Sequence, residues 1–243
     1  MYNFLKHVAK KIVPKEILIK NEDLMRNFLK PLYQGKNHEC NICTTKLKKF
    51  VLLENGQLIC PMCGSLPRTR RLNLILENEF LKPKAFFLDF SPSRMLYKKW
   101  KKRKDIHYYP TDFENEFLSD YQYDITRINI EDNTFDLIVC YHILEHIIND
   151  KKAMSELYRV LKTGGNLLIQ TPFKEGEIYE DYSVKTEQER LMHFGQKDHV
   201  RIYSVKGLEN RLKEAGFTTE IRIFDEDIYL GLTKNETVII CKK

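Results

Sequence analysis

Apolar residues follow helical spacing in the first part of the chain. The pattern is broken at Pro14 and closes before Pro31, so it predicts two short amphipathic helices. We therefore expect residues 1–38 to form an amphipathic helical arm.

Short, strand-like apolar runs follow the arm and are separated by turn residues. Asn55-Gly56 lies between two such runs, at residues 50–53 and 57–59, and this dipeptide is a strong hairpin signal. The pattern predicts a small β module over residues 39–66.

From Pro67 onwards, helical and strand-like patterns alternate. A helical run stops at Pro83, and strand-like runs then alternate with helical ones. Such alternation is typical of a mostly parallel sheet with helices on both faces, so we predict an α/β domain over residues 67–243. Its strands are predicted at residues 85–90, 106–109, 135–141, 166–171, 220–224 and 237–241.

Length and composition agree with this organisation. A chain of 243 residues, 42% hydrophobic and 30% charged, can form one globular α/β domain and a small additional module. No apolar run approaches the roughly 20 residues that a membrane span needs. Lys6, Lys10 and Lys11 interrupt the start of the chain, where a secretory signal requires apolar residues. We therefore expect a cytoplasmic protein.

The net charge of +6 is concentrated near the start of the chain. Residues 1–49 hold eleven Lys or Arg residues and four Asp or Glu residues. A basic arm of this kind can meet an anionic membrane surface, nucleic acid or an acidic partner, but a positive balance also serves solubility alone. The charge pattern therefore leaves the partner of the arm open.

Two Cys-x-x-Cys pairs carry the most specific chemical signal in the sequence. Sixteen residues separate the pairs, which lies within the range for a structural zinc site with four thiolate ligands. Because all four ligands come from the protein, such a site has no open position and is structural rather than catalytic. We predict that one zinc ion is bound by Cys40, Cys43, Cys60 and Cys63. The remaining cysteines, Cys140 and Cys241, lie in predicted buried strands, where packing is their expected role.

Three segments in the second half of the chain resemble the class I S-adenosylmethionine (SAM)-dependent methyltransferases, and in particular the type 11-like members. The run NTFDLIVCYHILEH at residues 133–146 is similar to their fourth-strand motif. ELYRVLKTGG at residues 156–165 resembles the helix and turn before the fifth strand, and AGF at residues 215–217 the turn before the last strands. The resemblance implies a Rossmann-like, doubly wound, mostly parallel sheet of seven strands, with SAM as the cofactor.

The resemblance also implies which carboxylates face the cofactor. Ligands of a doubly wound sheet bind outside the carboxyl ends of its strands. Asp89, at the end of the first strand, would face the methionine part of SAM. Asp112, at the end of the second strand, would accept hydrogen bonds from the ribose hydroxyls. Asp124 and Ile125 would contact the adenine.

The loop after the first strand departs from the family pattern. Ser91-Pro92-Ser93 stands where the glycine-rich loop is usual, and without glycine the backbone must approach the cofactor by another path. Ser91 and Ser93 are predicted to offer free amides at a helix start to the SAM carboxylate. Past the fourth strand, Tyr141 and His142 are expected to line the sulfonium side of SAM. No Gly-x-Gly-x-x-Gly follows any strand, which argues against a nicotinamide enzyme.

Histidines supply the predicted general bases. The Asn/Asp-Pro-Pro-aromatic motif of base-amine methylation is absent after the fourth strand, so an oxygen acceptor is favoured. Methyl transfer to a hydroxyl requires its positioning and the removal of its proton, which a histidine near the cofactor can perform. Residues 173–201, after the fifth strand, are predicted to close over the substrate side. The predicted catalytic residues are His142, His146, His193, His199 and Arg201, the last as a clamp for an anionic substrate.

Two functions remain open from the sequence. The first is an O-methyltransferase for a small molecule, sugar or glycan-type acceptor. The second is an RNA-directed methyltransferase, or a noncatalytic protein whose zinc ribbon binds nucleic acid or a protein partner. The first is favoured, because the ribbon offers only Phe50 among Lys46, Lys48 and Lys49 and is a poor platform for stacking bases.

Overall fold

The structure, a computed structural model, describes residues 24–243, which fall into two compact units. The first unit comprises residues 24–79 and Phe224–Glu236, and the second comprises Phe80–Ile223 and Thr237–Lys243. Most of the expected helical arm, residues 1–23, lies outside the described residues. The domain boundaries expected after residues 38 and 66 stay a prediction.

Short elements build the first unit. They are helix α1 (Lys30–Tyr33), strands β1 (Gln34–Glu39), β2 (Lys46–Leu47), β3 (Val51–Leu52) and β4 (Leu58–Ile59), and helix α2 (Pro67–Ile75), which continues as a π-helical turn over Leu76–Phe80.

The hairpin predicted around Asn55-Gly56 is confirmed. Strands β3 and β4 pair antiparallel with Val51 opposite Ile59, and Gly56 has a φ of 77°, which glycine adopts without strain. Residues 34–38 were expected to belong to the helical arm. They lie instead in strand β1, because Gln34–Glu39 pairs antiparallel with β2. Gly35 permits this pairing, since a Cβ there would lie 2.4 Å from Cγ of Lys48.

A six-stranded sheet with flanking helices forms the second unit. In chain order its elements are β5 (Phe86–Phe90), α3 (Arg94–Trp100), β6 (His107–Thr111), β7 (Phe135–Tyr141), a 3-10 turn (Leu144–His146), α4 (Asp150–Val160), β8 (Leu161–Gln170), β9 (Tyr179–Glu180), α5 (Glu187–Phe194), β10 (Arg201–Ile202), α6 (Val205–Glu214), β11 (Thr218–Phe224) and β12 (Glu236–Lys242). The strand order in the sheet is β11-β12-β8-β7-β5-β6, and β9 and β10 form a separate antiparallel pair.

Four neighbouring strands, β6, β5, β7 and β8, are parallel, and β12 runs antiparallel to β8. The predicted α/β class and mostly parallel sheet are therefore confirmed. The order in which the chain adds strands to the sheet reverses at β5. The next strand, β6, lies on one side of β5, and the following one, β7, lies on its other side. In α/β sheets of this type ligands bind at such a reversal, outside the carboxyl ends of the strands.

The expected seven strands are corrected to six within residues 24–243. In chain order the missing strand would fall between β6 and β7. Residues 112–134 there form only isolated bridges, such as that of Tyr121 with Thr111. This segment is rich in Asp, Glu and Asn, and its Ile125 and Ile128 pack in the core cluster of the second unit instead of pairing in the sheet.

Apolar side chains of the central strands form the core of the second unit. Ile138 of β7 and Leu167 of β8 are fully buried, and Leu157 of α4 and Leu208 of α6 pack in the same cluster. Cys140 and Cys241 are fully buried in this cluster too, which confirms their expected packing role. No helix within residues 24–243 combines the length and apolar composition needed to cross a bilayer.

Candidate functional site

Four cysteine thiols converge in the first unit. The sulfurs of Cys40, Cys43, Cys60 and Cys63 all lie within 4.8 Å of one another. The Sγ atoms of Cys40 and Cys63 are 3.6 Å apart, and those of Cys43 and Cys60 are 3.8 Å apart. Sulfurs at the corners of a tetrahedron about 2.3 Å from one zinc ion lie about 3.8 Å apart. The donor set and its spacing therefore fit one structural zinc ion.

The two cysteine pairs are held by the same backbone pattern. Thr44 and Gly64, each following the second cysteine of its pair, have positive φ angles of 54° and 82°. Each donates its amide to the carbonyl of the first cysteine, Cys40 or Cys60, at 2.7 and 2.8 Å. These turns aim both thiols of a pair in one direction, which explains why this spacing makes a metal-binding knuckle.

A buried arginine connects the cysteine segment with the later part of the same unit. Arg70 is fully buried and donates to the carbonyls of Ser65, Leu230 and Gly231, and its guanidinium stacks on Phe50 at 4.2 Å from the ring centroid. Burial lowers the pKa of Arg70, and negative charge on the cysteine sulfurs opposes this decrease. A thiolate cluster of net negative charge therefore compensates the buried cation.

In the second unit, the loop after β5 lies at the carboxyl edge of the sheet. Ser91 takes a φ of 45°, the left-handed conformation that favours glycine. Its amide donates to the Thr111 carbonyl at 2.7 Å, and its hydroxyl donates to Oδ1 of Asp112 at 2.6 Å. Ser91 thus provides the turn that a glycine would provide. Ser93 begins α3 and accepts a hydrogen bond from the Leu96 amide through its hydroxyl.

Asp89 and Asp112 follow neighbouring strands and are both buried. Asp89 accepts a hydrogen bond from the Tyr108 hydroxyl at 2.9 Å, but burial outweighs this bond and raises the pKa of Asp89 to about 7. Oδ2 of Asp112 accepts from the amides of Glu116 and Phe117. With three donors on its two oxygens, Asp112 retains acceptor capacity for about one ribose hydroxyl rather than two.

Asp124 and Ile125 lie in the irregular segment between β6 and β7. Oδ1 of Asp124 accepts hydrogen bonds from the amide and the hydroxyl of Thr126 at 2.8 and 2.7 Å. Ile125 is 4% exposed and packs in the core. The pair is therefore fixed by local contacts, and the expected contact with adenine stays a prediction.

The turn after β7 concentrates ionisable side chains. His142 follows Tyr141 with a φ of 57°, an uncommon conformation that is often found at functional sites. Its Nδ1 lies 3.4 Å from Oε1 of Glu145, and within the described chain its Nε2 has no hydrogen-bond partner. Burial alone would raise the pKa of Glu145, but His142 beside it lowers the pKa overall.

A second loop brings further groups to this turn. His199 is 4% exposed, and its ring meets that of His146 edge to face at 4.7 Å. Nδ1 of His146 lies 3.2 Å from Oδ2 of Asp198. Burial, and then the charge of His146, lower the pKa of His199, which favours its neutral form. The ligand atoms of Glu145, His146 and His199, here called the histidine–glutamate cluster, lie within 4.8 Å of one another.

Arg201 is fully buried beneath this cluster. Its guanidinium donates to the carbonyls of Leu144 and Ile148 and to the carboxylate of Glu180. A third carbonyl, that of Ile147, accepts from the same guanidinium. Its hydrogen bonds thus hold the turn that carries Glu145 and His146. This arrangement favours a positioning role over the substrate clamp expected from the sequence.

The predicted loop over residues 173–201 is partly ordered into β9 and α5. His193, on α5, lies 2.6 Å from the Tyr179 hydroxyl through its Nδ1, and it is not part of the histidine–glutamate cluster. A cavity of about 180 Å³ lies beside the loop and is lined by Phe173, Phe194 and His199 among others. Its volume is smaller than the roughly 300–1,000 Å³ of ligand pockets, so it can hold only a small group.

Glu145 was not among the predicted site residues. The sequence did contain a signal for Glu145, since this residue directly precedes His146 and follows His142 by three positions. What the sequence could not supply was the burial of this carboxylate and the approach of His199, which is 54 positions further on.

A sequence model of the family described as a methyltransferase domain matches residues 63–220. The chain belongs to this family, and its fold is that of class I SAM-dependent methyltransferases.

Individual relatives match over shorter stretches or at low identity. An uncharacterized protein of Methanocaldococcus jannaschii is 38% identical over 64 residues, 25% of this chain and 28% of that protein. The ubiquinone/menaquinone biosynthesis C-methyltransferase UbiE of Hydrogenovibrio crunogenus is 40% identical over 55 residues, 21% of this chain and 22% of that protein. These matches span about a quarter of each relative's length.

The solved structure of a SAM-dependent methyltransferase from Archaeoglobus fulgidus matches with a TM-score of 0.53 at 17% identity. The match covers 72% of this chain and 93% of that one. At this identity the likeness concerns the fold.

Proposed function

We propose that the chain transfers the methyl group of SAM to an oxygen of a small-molecule, sugar or glycan-type acceptor. SAM supplies a methyl group on a sulfonium, which is already activated for in-line displacement. The protein must then bind the cofactor, align the acceptor and accept its proton. The proposal rests on one observation, the convergence of proton-accepting side chains just past β7 at the carboxyl edge of the sheet.

His142 is the proposed general base. A proton on Nδ1, facing Oε1 of Glu145 at 3.4 Å, leaves the lone pair on Nε2. Nε2 can then take the acceptor's hydroxyl proton while the acceptor oxygen bonds to the methyl carbon and the cofactor sulfur keeps the electron pair. Glu145 stabilises the imidazolium that forms, as the carboxylate does in a catalytic triad.

Other residues are proposed to bind rather than to react. Ser91 and Asp112 hold the loop at the carboxyl end of β5 and face the ribose and methionine parts of SAM. Asp89, buried with a pKa near 7, lies at the same end of the strand. His199 and the adjoining cavity receive a small group of the acceptor. Arg201 positions the turn that carries the base.

Carbon methylation is the second proposed reaction, because the stretch of similarity to UbiE links the chain with a C-methyltransferase. An acidic C–H acceptor would give its proton to the same base. RNA remains an acceptor to be tested. We also propose a cytoplasmic location, in agreement with six cysteines of which none forms a disulfide bond, and an anionic or acidic partner for the basic arm.

Calorimetric titration with SAM tests the cofactor part of the proposal. The full chain should bind SAM, and Asp112→Ala should bind it about 5- to 150-fold more weakly, since one hydrogen bond to a charged acceptor is lost. Unchanged affinity in this variant would remove Asp112 from the cofactor site.

The acceptor is found by screening sugars, lipids and RNA for methyl incorporation from labelled SAM. With that acceptor, His142→Ala should lower kcat about 100- to 10,000-fold and leave SAM affinity unchanged. His107→Ala, an exposed histidine at the amino end of β6, is the matched control and should retain full turnover. Full turnover in His142→Ala would reject the general base.

A further inference from the structure

We propose that Glu145, His146 and His199 bind a divalent first-row transition-metal ion at the carboxyl edge of the sheet. This site is distinct from the four-cysteine site. Metal binding there is independent of the proposed reaction, and only the effect of the ion on the acceptor rests on that proposal.

The spacing of the three side chains is close to that of bound ligands. Their ligand atoms lie within 4.8 Å of one another. Nitrogen and oxygen ligands about 2.1 Å from one ion lie about 3–4 Å apart. Side-chain rotations that move each ligand atom by less than about one ångström therefore bring the three atoms to this spacing. Two elements supply the ligands, the turn after β7 and the segment before β10, and Arg201 ties these elements together.

The burial of Glu145 is the second, independent observation. Glu145 is 1% exposed. Nδ1 of His142 lies 3.4 Å from its Oε1, and within residues 24–243 its Oε2 has no hydrogen-bond donor. Removing a carboxylate from water with one long contact and no donor on its second oxygen is costly, and a bound cation offsets this cost. Glu145 therefore has the environment of a metal ligand.

Surrounding contacts have the form found around bound metals. Histidine ligands usually donate their second ring N–H to a carboxylate or a carbonyl, which fixes the ring. Nδ1 of His146 lies 3.2 Å from Oδ2 of Asp198, which leaves Nε2 as the ring atom able to bind a cation. The Glu145 carbonyl accepts the Val200 amide at 2.9 Å, so the backbones of the two ligand segments are joined directly.

The donor set selects the kind of ion. Two imidazoles and one carboxylate suit Mn²⁺, Fe²⁺, Co²⁺ or Zn²⁺, whereas Mg²⁺ and Ca²⁺ prefer oxygen ligands alone. Three protein ligands leave positions open for an acceptor oxygen. An ion there would lower the pKa of that oxygen's proton and assist its transfer to His142.

Manganese is the probe that separates this site from the cysteines, because thiolates favour zinc over Mn²⁺. The full chain, with its cysteine site loaded with zinc, is titrated with Mn²⁺ alone, and the free ion is quantified by electron paramagnetic resonance. Wild type and His107→Ala should bind one Mn²⁺ per chain. Glu145→Gln and His146→Ala should bind it at least about tenfold more weakly, as expected when a ligand is removed.

Two further measurements control for the folding of the variants. Thermal unfolding and SAM affinity report whether each variant is folded, and His146, being partly exposed, is the variant least prone to misfold. If wild type binds no Mn²⁺ at millimolar concentration, or if both ligand variants bind it as wild type does, the metal site is wrong. Binding of Mn²⁺ without methyl transfer would instead reject only the proposed reaction.

Discussion

The cysteine cluster of the first unit and the histidine–glutamate cluster of the second illustrate two ways of assembling ligands. The cysteines come from two short turns of the same design, and all four positions around an ion are filled by sulfur. The histidine–glutamate cluster joins residues more than 50 positions apart and offers three ligands. A closed site stabilises a fold, whereas an open one can take part in a reaction.

The two clusters also differ in the contacts that hold their ligand segments in place. Backbone amides hold the cysteine turns, so their geometry is local. The turn that carries Glu145 depends on a buried network in which Arg201, Arg211 and Tyr203 contact Glu180 and Asp150. A reactive geometry is thus maintained by distant side chains, which a structural metal site does not need.

Removing one thiol should have the largest effect. Cys60→Ser is expected to lower the zinc content from about one per chain to near zero and to unfold the first unit, because metal binding supplies much of the folding free energy of such modules. Elemental analysis and thermal unfolding measure both effects. Cys140→Ala, which removes a thiol outside the cluster, should keep its zinc. Full zinc content in Cys60→Ser would contradict the closed site.

Removing the side chain that holds the reactive turn should have the next largest effect. Arg201→Met is expected to reduce the free energy of unfolding by about 3–5 kcal/mol, since it leaves Glu180 and Asp150 with less positive charge and three carbonyls without a donor. Denaturant unfolding measures this loss. Arg127→Met, at an exposed arginine, should change stability by less than about 0.5 kcal/mol. Equal stability of the two variants would contradict the positioning role.

The smallest effect concerns Asp89 and appears as a pH dependence. Its pKa is about 7 in the folded chain and near 3.8 when unfolded, so the folded state holds the proton to higher pH. Its contribution to stability therefore decreases as pH rises from about 4 to 7 and is constant above that. Between pH 5 and 8, wild type should lose on the order of 3 kcal/mol relative to Asp89→Asn.

Denaturant unfolding at the two pH values measures this difference. Asp132→Asn, at an exposed carboxylate, is the control and should follow wild type within about 1 kcal/mol. If Asp89→Asn shows the same pH dependence as wild type, Asp89 is ionised in the folded chain at neutral pH. Its burial would then be compensated by a contact other than Tyr108.

What the sequence could predict was mostly local. The cysteine ligands follow from spacing alone, and β7 agrees with the predicted strand at residues 135–141 because only Asp136 interrupts its apolar run. The segment before β7 was the weak point, since the family resemblance implied a seventh strand and residues 112–134 form only isolated bridges. The cofactor and catalytic roles assigned to individual residues stay predictions.

Tertiary contacts explain the remaining differences between the predicted and the observed site residues. Nothing in the local sequence distinguishes Ser91 as a residue with positive φ, because that conformation depends on its bonds to Thr111 and Asp112. Arg201 was predicted to clamp an anionic substrate, and its full burial was not expected because arginine is seldom buried. Its burial depends on carboxylates and carbonyls from three other segments, which only the folded chain brings together.

Arg70 has a consequence for how the protein is made. Two of its acceptors, the carbonyls of Leu230 and Gly231, follow it by 160 and 161 residues. At translation rates of about 5–20 residues per second, roughly 8–30 s pass between the synthesis of Arg70 and of these acceptors. The cysteine knuckles therefore emerge from the ribosome and can capture zinc while their unit is still incomplete. Metal loading can thus precede the last step of assembly, and a nascent chain stalled before residue 230 would present an unfinished unit, with its cysteine knuckles ready to bind zinc, to the chaperones.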